Sequence, residues 1–257
     1  MSRNRTVLSE MNKNILKLIL EIKKEHPFWG YRRVWAYIRN YHGIIVNHKR
    51  IYRLMEMNNL LCKKPHKNKA TRTNMRPKPR ADRPNQYWGI DMTKIMISPI
   101  GWVYLHVVID WYTKKIIGWS ISSGSKTRLW VKALEMAVMK QFPDGIRNDT
   151  PPELISDNGS QPTSLTFAKH CKILGIKQIF TSYSNPKGNA DTERVMRTIK
   201  EDLVYINEFE SKNEFDIAFN NWVAKYNNDF PHSALKYKTP YQVEREYVKK
   251  KIQLNSC

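Results

Sequence analysis

The chain has 257 residues, and 41% of them are hydrophobic, so it is able to bury a globular core. Its 44 lysines and arginines against 23 aspartates and glutamates give a net charge of +21, which favours a polyanion such as DNA as the partner. Three cysteines without a C-x-x-C pair exclude a disulfide framework and a cysteine zinc site, and no apolar run is long enough for a membrane span. We therefore expect a cytoplasmic protein that acts on DNA and has no membrane partner.

Three helices are predicted in the first part of the chain, over Ser9–Lys24, Gly30–His42 and His48–Asn58. Ser9 is the expected N-cap of the first helix, Gly43 ends the second, and Asn47 caps the third. Two helices joined by a glycine turn are typical of a helix-turn-helix, and the basic start of the third helix is its expected DNA-binding face, through His48, Lys49, Arg50 and Arg53. A helical hairpin with a solvated basic face is the alternative.

The charge is concentrated before residue 87. Residues 1–86 contain 21 basic and 5 acidic residues, whereas the remaining 171 contain 23 and 18. Residues 63–85 form a basic segment with several prolines that cannot build a core, so it is either a tether or an arm that lies on phosphates. We predict a helical DNA-binding module at 1–62, a linker at 63–85 and a globular core at 86–250.

The core is predicted to be an α/β domain. Three strands that can pair as antiparallel neighbours are followed by alternating helices and strands, which predicts a mixed five-stranded sheet with helices on both faces. The predicted strands are Tyr87–Ile97, Trp102–Trp111, Ile116–Ser122, Glu153–Ser156 and Ile176–Ser182, and the predicted helices are Thr127–Phe142, Ser164–Leu174, Asn189–Ile206 and Phe215–Asn227.

Three carboxylates have the setting of a divalent metal site. Asp91 lies within the first strand, Asp157 follows the fourth, and Glu193 lies at the start of a long helix. The first and fourth strands can be neighbours, and hard cations bind carboxylate oxygens. Asp110, at the end of the second strand, is the main rival: it is either a carboxylate that supports the metal ligands or an ion-pair partner of Lys114 or Lys115.

The helix that carries Glu193 has two distinct stripes. Glu193, Arg197 and Lys200 share one face, which suits a phosphate backbone beside a metal site, although an ordinary ion pair between Glu193 and Arg197 also explains it. The neighbouring stripe is apolar and is expected to be buried, and it consists of Val195, Met196, Ile199, Leu203 and Ile206.

Several blocks of sequence, in order, carry a family resemblance. They are Trp88–Thr93, Ser156–Gln161, Asn185–Glu193, and the tail Tyr226–Leu235 followed by Thr239 and Pro240. They resemble the catalytic core of insertion-sequence transposases related to retroviral integrases, including the spacing of 35 residues between Asp157 and Glu193. The stretches Gly30–Arg33 and Asn47–Met55 resemble the helical module that precedes this core in second-frame (OrfB-type) proteins.

The resemblance implies a ribonuclease-H-like fold and a magnesium-dependent transposase. Asp91, Asp157 and Glu193 would then be the catalytic residues and would hold two Mg²⁺ ions, with Mn²⁺ as an alternative, for cleavage and strand transfer on DNA. Phosphate contacts are expected from Lys187, Arg194, Arg197 and Lys200.

Further expectations concern partners. The resemblance implies binding to the terminal inverted repeats and to target DNA, a homo-oligomer on DNA, and a location at the bacterial nucleoid. It also implies a first-frame helix-turn-helix protein that a frameshift can fuse to this one. One departure is Phe230, where the family often has arginine. A DNA-binding repressor with an inactive core and a ribonuclease H acting on RNA–DNA hybrids are the rival functions.

Overall fold

The computed structural model describes residues 2–62, 79–98, 100–146, 150–181 and 189–255. Contacts divide the chain into two compact units. The helical unit contains the described residues up to 62 together with Asp229–Thr239, and the sheet unit contains the described residues from 79 to 228 and from 240 onward. Most of the expected linker, residues 63–78, lies outside the described residues. No helix in the described ranges is long and apolar enough to cross a membrane.

The helical unit contains the three predicted helices, α1 (Ser2–Glu25), α2 (Tyr31–Tyr41) and α3 (His48–Met57). The expected cap at Asn47 is confirmed, because its side chain accepts a hydrogen bond of 2.9 Å from the Lys49 backbone N–H. The expected cap at Ser9 is wrong, since α1 continues through this position to Ser2. The unit has a core of aliphatic side chains from all three helices, including Ile15, Ile19, Val34, Ile38, Ile51 and Met55.

The segment Asp229–Thr239 packs with these helices, whereas the sequence placed it in the core domain. Phe230 is only 4% exposed, and its ring meets the edge of Trp29 at a centroid distance of 5.4 Å. The Arg33 guanidinium lies 4.4 Å from the centre of the same ring. Tyr41 donates a hydrogen bond of 2.6 Å to the Asp229 carboxylate. Phe230 is therefore a core residue of the helical unit.

The sheet unit contains the predicted mixed sheet. Its strand order is β3-β2-β1-β4-β5, in which β1 to β3 are antiparallel neighbours and β4 and β5 run parallel to β1. Strand β1 has the predicted bounds, and β2 and β5 differ slightly at their ends. The strands are β1 (Tyr87–Ile97), β2 (Gly101–Asp110), β3 (Ile116–Ser122), β4 (Glu153–Ser156) and β5 (Lys177–Phe180).

Helices cover the sheet. The helices of this unit are α4 (Thr127–Gln141), α5 (Leu165–Ile173), α6 (Ala190–Ile199), α7 (Lys212–Asp229) and α8 (Pro240–Asn255), of which α8 was not predicted. Trp88 and Ile90 of β1 join a core cluster with residues of α4 and α5, whereas Gly89 faces α6 on the other side.

The long helix predicted over Asn189–Ile206 is interrupted. After α6 the chain forms a π-helical turn at Lys200–Val204, closed by a hydrogen bond of 2.8 Å from Tyr205 N–H to Lys200 C=O. A π turn inserts one residue, so the 100° periodicity no longer applies beyond it. Ile206 is therefore 37% exposed and not part of the buried stripe, which corrects that expectation.

Candidate active site

The pairing of β1 with β4 brings Asp91 and Asp157 to the same region of the sheet. Strands β1 and β4 are parallel, and Gly89 is paired with Ile155. Asp91 lies two residues further along β1, and Asp157 is the first residue after β4. The predicted neighbourhood of the first and fourth strands is thereby confirmed.

Glu193 reaches the same region because α6 lies directly against β1. A Cβ at Gly89 would overlap the Thr192 hydroxyl and the Trp111 indole, so only glycine permits this approach. Asn189, just before α6, is buried against the same strand. Thr192 is fully buried, which leaves the next residue, Glu193, on the exposed side of the helix.

Asp91 and Glu193 line one cleft of about 350 Å³. Its other walls include two of the predicted phosphate contacts, Arg197 and Lys200, together with Met92, Thr93, Met196 and Tyr205. Glu193 and Arg197, both within the described residues, form no ion pair, so the ordinary explanation of this stripe is not what the structure shows. Asp157 is exposed and lies outside the lining of this cleft.

Asp91 is electrostatically strained. Desolvation raises the pKa of its carboxyl group to about 7, and the like charges of Asp157 and Glu193 act in the same direction. A hydrogen bond of 2.7 Å from the Met92 N–H and the positive charge of Lys200 lower the pKa but do not compensate. Asp157 and Glu193 are therefore each close enough to Asp91 to raise its pKa.

These carboxylates do not form a closed metal cage in this conformation. Within the described ranges, no group of three or more Asp, Glu, His or Cys side chains is close enough to hold a metal ion. The Asp157 carboxylate accepts a hydrogen bond of 3.1 Å from the Gly159 N–H, and Asp91 accepts one from its neighbour Met92. A desolvated carboxylate beside two more is nevertheless a donor set that suits a hard divalent cation.

Asp110, the rival carboxylate, has a structural role. It is 2% exposed and accepts hydrogen bonds of 2.7 Å from the Thr113 N–H, the Thr113 hydroxyl and the Asn85 N–H. The two suggested lysine partners pair with other carboxylates, Lys114 with Asp191 and Lys115 with Glu244, each at 2.7 Å. Asp110 thus stabilises the turn between β2 and β3.

The other predicted contact residues are scattered. In the helical unit, Lys49 and Arg53 are exposed, whereas the Arg50 guanidinium donates a hydrogen bond of 2.7 Å to Asn12 and the His48 ring packs near Tyr31. In the sheet unit, Arg194 is exposed but does not line the cleft. Lys187 lies in 182–188, outside the described residues.

Tyr205 was missed by sequence reasoning. It lines the cleft and is 64% exposed. Helical periodicity offers no signal for it, because the π turn at Lys200–Val204 sets its direction.

A mixed sheet with one carboxylate on a strand and another directly after the adjacent strand is the architecture of an integrase-type catalytic core. Residues 81–186 and 174–240 match two family models described as Integrase core domain, and residues 10–68 match one described as HTH-like domain. The chain is 32% identical over 216 residues to the transposase for insertion sequence element IS904 of Lactococcus lactis subsp. lactis (strain IL1403), which spans 79% of this chain and 82% of that protein. The chain belongs to the family of insertion-sequence transposases.

Other similarities agree. The transposase for insertion sequence element IS629 of Shigella sonnei is 28% identical over 235 residues, covering 87% of this chain and 76% of the relative. A chain of the simian T-cell lymphotropic virus intasome in complex with PP2A regulatory subunit B56 gamma matches with a TM-score of 0.54 and 17% identity, over 84% of this chain and 70% of that one. The HTLV-2 integrase catalytic core domain in complex with magnesium matches with a TM-score of 0.50 and 21% identity, over 64% and 99%. The predicted ribonuclease-H-like fold, transposase function and polynucleotidyl transferase class are confirmed.

Proposed function

We propose that this transposase cleaves DNA strands and transfers them through a divalent metal site whose ligands are Asp91, Asp157 and Glu193. The observation that carries the proposal is the position of Asp91 on β1 and of Asp157 directly after the adjacent strand β4, with Glu193 in the same cleft as Asp91. The raised pKa of Asp91 supports it, because this carboxylate gains most from a nearby cation. Asp157 and Glu193 are exposed, so their side chains are able to turn towards a shared ion.

Magnesium is the proposed metal, as two ions, with Mn²⁺ able to replace it. The donor set consists of carboxylate oxygens, and a related fold, the HTLV-2 integrase core, is described with magnesium. When bound, the metal would polarise the phosphate and activate the attacking oxygen.

The chain's own residues would orient the DNA. Arg197 and Lys200 line the cleft beside Asp91 and are the proposed contacts to the phosphate that reacts. Arg194, on the exposed side of α6, and Lys187 are proposed to hold phosphates further along the strand. Cationic side chains at fixed positions lower the barrier by orienting the phosphate and stabilising its developing charge.

The helical unit is the proposed recognition module for the terminal inverted repeats. Lys49 and Arg53 are exposed on α3 and are its best candidates for phosphate contacts. His48 and Arg50 also remain proposed contacts, but they have partners within the unit, so we expect them to contribute mainly by holding α3 in place. We also propose that the protein forms a homo-oligomer on the two DNA ends, captures target DNA and associates with the nucleoid. Its proposed protein partner is a first-frame protein that a frameshift can fuse to it.

The test uses a DNA duplex with the end sequence of the element and Mg²⁺. Asp91→Asn, Asp157→Asn and Glu193→Gln should each abolish strand cleavage while leaving DNA affinity largely unchanged. Asp144→Asn, an exposed carboxylate outside the cleft, should cleave like the wild type. Cleavage that survives in all three site variants would reject the triad. A wild-type protein that binds this DNA but never cleaves it would instead indicate a repressor.

A further inference from the structure

An ion pair connects the turn after β2 to the start of α6. The Lys114 ammonium lies 2.7 Å from the Asp191 carboxylate, and both side chains are largely buried, at 15% and 23% exposure. Asp191 stands in the first turn of α6, two residues before Glu193. The same ammonium also donates a hydrogen bond of 2.5 Å to the Trp111 carbonyl, so it is held by its own turn.

The turn that carries Lys114 is itself well fixed. Lys114 has a φ of +62°, a left-handed conformation that is unfavourable for lysine unless its surroundings impose it. The buried Asp110 carboxylate accepts the hydrogen bonds described above on one side of the turn. Tyr226 of α7 donates a hydrogen bond of 3.1 Å to the Lys114 carbonyl. The backbone of Lys114 is therefore held in place by contacts from two sides.

A second contact acts on the next residue of α6. The Trp111 indole N–H donates a hydrogen bond of 3.3 Å to the Thr192 hydroxyl, at the place where Gly89 allows the helix to touch β1. Consecutive residues, Asp191 and Thr192, are thus attached to one turn, and Glu193 follows immediately.

We infer that Lys114 is a positioning residue, which orients the start of α6 through Asp191 so that Glu193 faces Asp91. The inference rests on the proposed metal site and deepens it. Removal of the Lys114 ammonium takes away a cation 2.7 Å from the partly buried Asp191 carboxylate, and loss of such a close charge partner is costly enough to shift the carboxylate towards water. Movement of Asp191 would turn the first helical turn and displace Glu193.

The chain offers a matched control in the adjacent residue. Lys115 pairs with Glu244 at 2.7 Å, with side-chain exposures of 21% and 22%, but this pair connects the turn to α8 rather than to α6. Lys115→Met therefore removes an ion pair of the same length and similar burial without touching the helix of Glu193.

The experiment compares Lys114→Met, Asp191→Asn, their double variant and Lys115→Met in the full chain. Two quantities are measured: amide hydrogen exchange across α6 in the metal-free protein, and the Mg²⁺ concentration for half-maximal cleavage together with the Mg²⁺-induced rise in Tm. Lys114→Met should speed exchange in the first turn of α6 and raise the required Mg²⁺ about tenfold, the usual effect of losing a group that orients a metal ligand. The double variant should be no worse than Lys114→Met alone, and Lys114→Arg should recover most of the loss.

Three results decide the matter. Exchange in α6 that is the same in Lys114→Met as in Lys115→Met overturns the inference. Faster exchange with an unchanged Mg²⁺ requirement also overturns it, since the ion pair would then stabilise α6 without positioning Glu193. A wild-type protein that shows neither a Mg²⁺-induced rise in Tm nor cleavage rejects the proposed metal site, while the exchange result still shows separately whether Lys114 fixes α6.

Discussion

Asp91 on β1 and Asp157, directly after the neighbouring parallel strand β4, carry like charges, and desolvation raises the pKa of Asp91 to about 7. Ionisation of these carboxylates therefore lowers the free energy of unfolding of the metal-free protein. Binding of a cation raises this free energy again, because a ligand that binds only the native state stabilises that state.

Asp91→Asn should therefore stabilise the metal-free protein at pH 8 while abolishing cleavage. The expected rise in the free energy of unfolding is on the order of 1–2 kcal/mol, less than the full change in pKa implies, since the side chain is partly open to the cleft. Chemical denaturation in a chelating buffer measures it. The exposed Asp144→Asn variant should stay within about 0.5 kcal/mol of the wild type. A less stable Asp91→Asn protein would show that the carboxylate is not strained.

Gly89→Ala should weaken both stability and catalysis. Its methyl group would overlap the Thr192 hydroxyl and the Trp111 indole, so α6 must move away from β1 and take Glu193 with it. Overpacking of this kind costs about 1–3 kcal/mol. The free energy of unfolding, measured by chemical denaturation, and the rate of DNA cleavage should both fall.

Gly124→Ala is the control for this substitution, because a Cβ there meets nothing within 4 Å. It should leave the free energy of unfolding and the cleavage rate close to wild type. Equal effects at positions 89 and 124 would contradict the close approach of helix and strand.

Phe230→Ala should destabilise the helical unit. The ring is 4% exposed and packs on Trp29, with the Arg33 guanidinium above it, so its removal leaves a cavity and an unsupported cation. A loss of about 3–5 kcal/mol is usual for this change. The loss should be seen as faster amide exchange in α2 and weaker DNA binding. The control is Ile45→Ala, because Ile45 is 88% exposed, and it should change neither quantity.

Phe230→Arg should also destabilise the helical unit. The new guanidinium would lie beside Arg33, and like charges in a desolvated place repel. The double variant Phe230→Arg/Arg33→Phe should be more stable than Phe230→Arg alone. If Phe230→Arg has the same free energy of unfolding as the wild type, the contact between the Arg33 guanidinium and the Phe230 ring does not contribute to stability.

His106 should make the sheet unit sensitive to acid. Burial lowers the pKa of His106 to about 4, below its ordinary value of 6.5, so the folded state favours the neutral ring. The stability from the neutral ring is fully present above pH 6.5 and is lost as the pH falls towards 4. Relative to His106→Phe, which cannot titrate, the wild type should lose stability over this window in denaturation curves. Parallel curves for the two proteins would contradict the prediction.

Local signals explain what the sequence predicted well. Strand β1 has the predicted bounds because residue types that favour turns, Asn85 before it and Gly101 after it, enclose its apolar and aromatic residues. Asn47 was recognisable as a cap because its side chain satisfies a backbone N–H only two residues away. The three carboxylates were identified from short motifs and from their spacing, which belong to the chain itself.

Contacts between distant segments decided the rest. Phe230 packs on Trp29, far away in sequence, so its membership of the helical unit has no local signal. The ion pair between Lys114 and Asp191 joins α6 to the β2–β3 turn, far away in sequence. The π turn that follows α6 also has no signal in the helical periodicity. The sequence by itself determined which elements form and which carboxylates are available, because propensity, capping and periodicity act within a few residues. Only the tertiary structure decided that Asp91 and Asp157 lie near each other, since the pairing and register of strands distant in sequence depend on packing across the whole sheet.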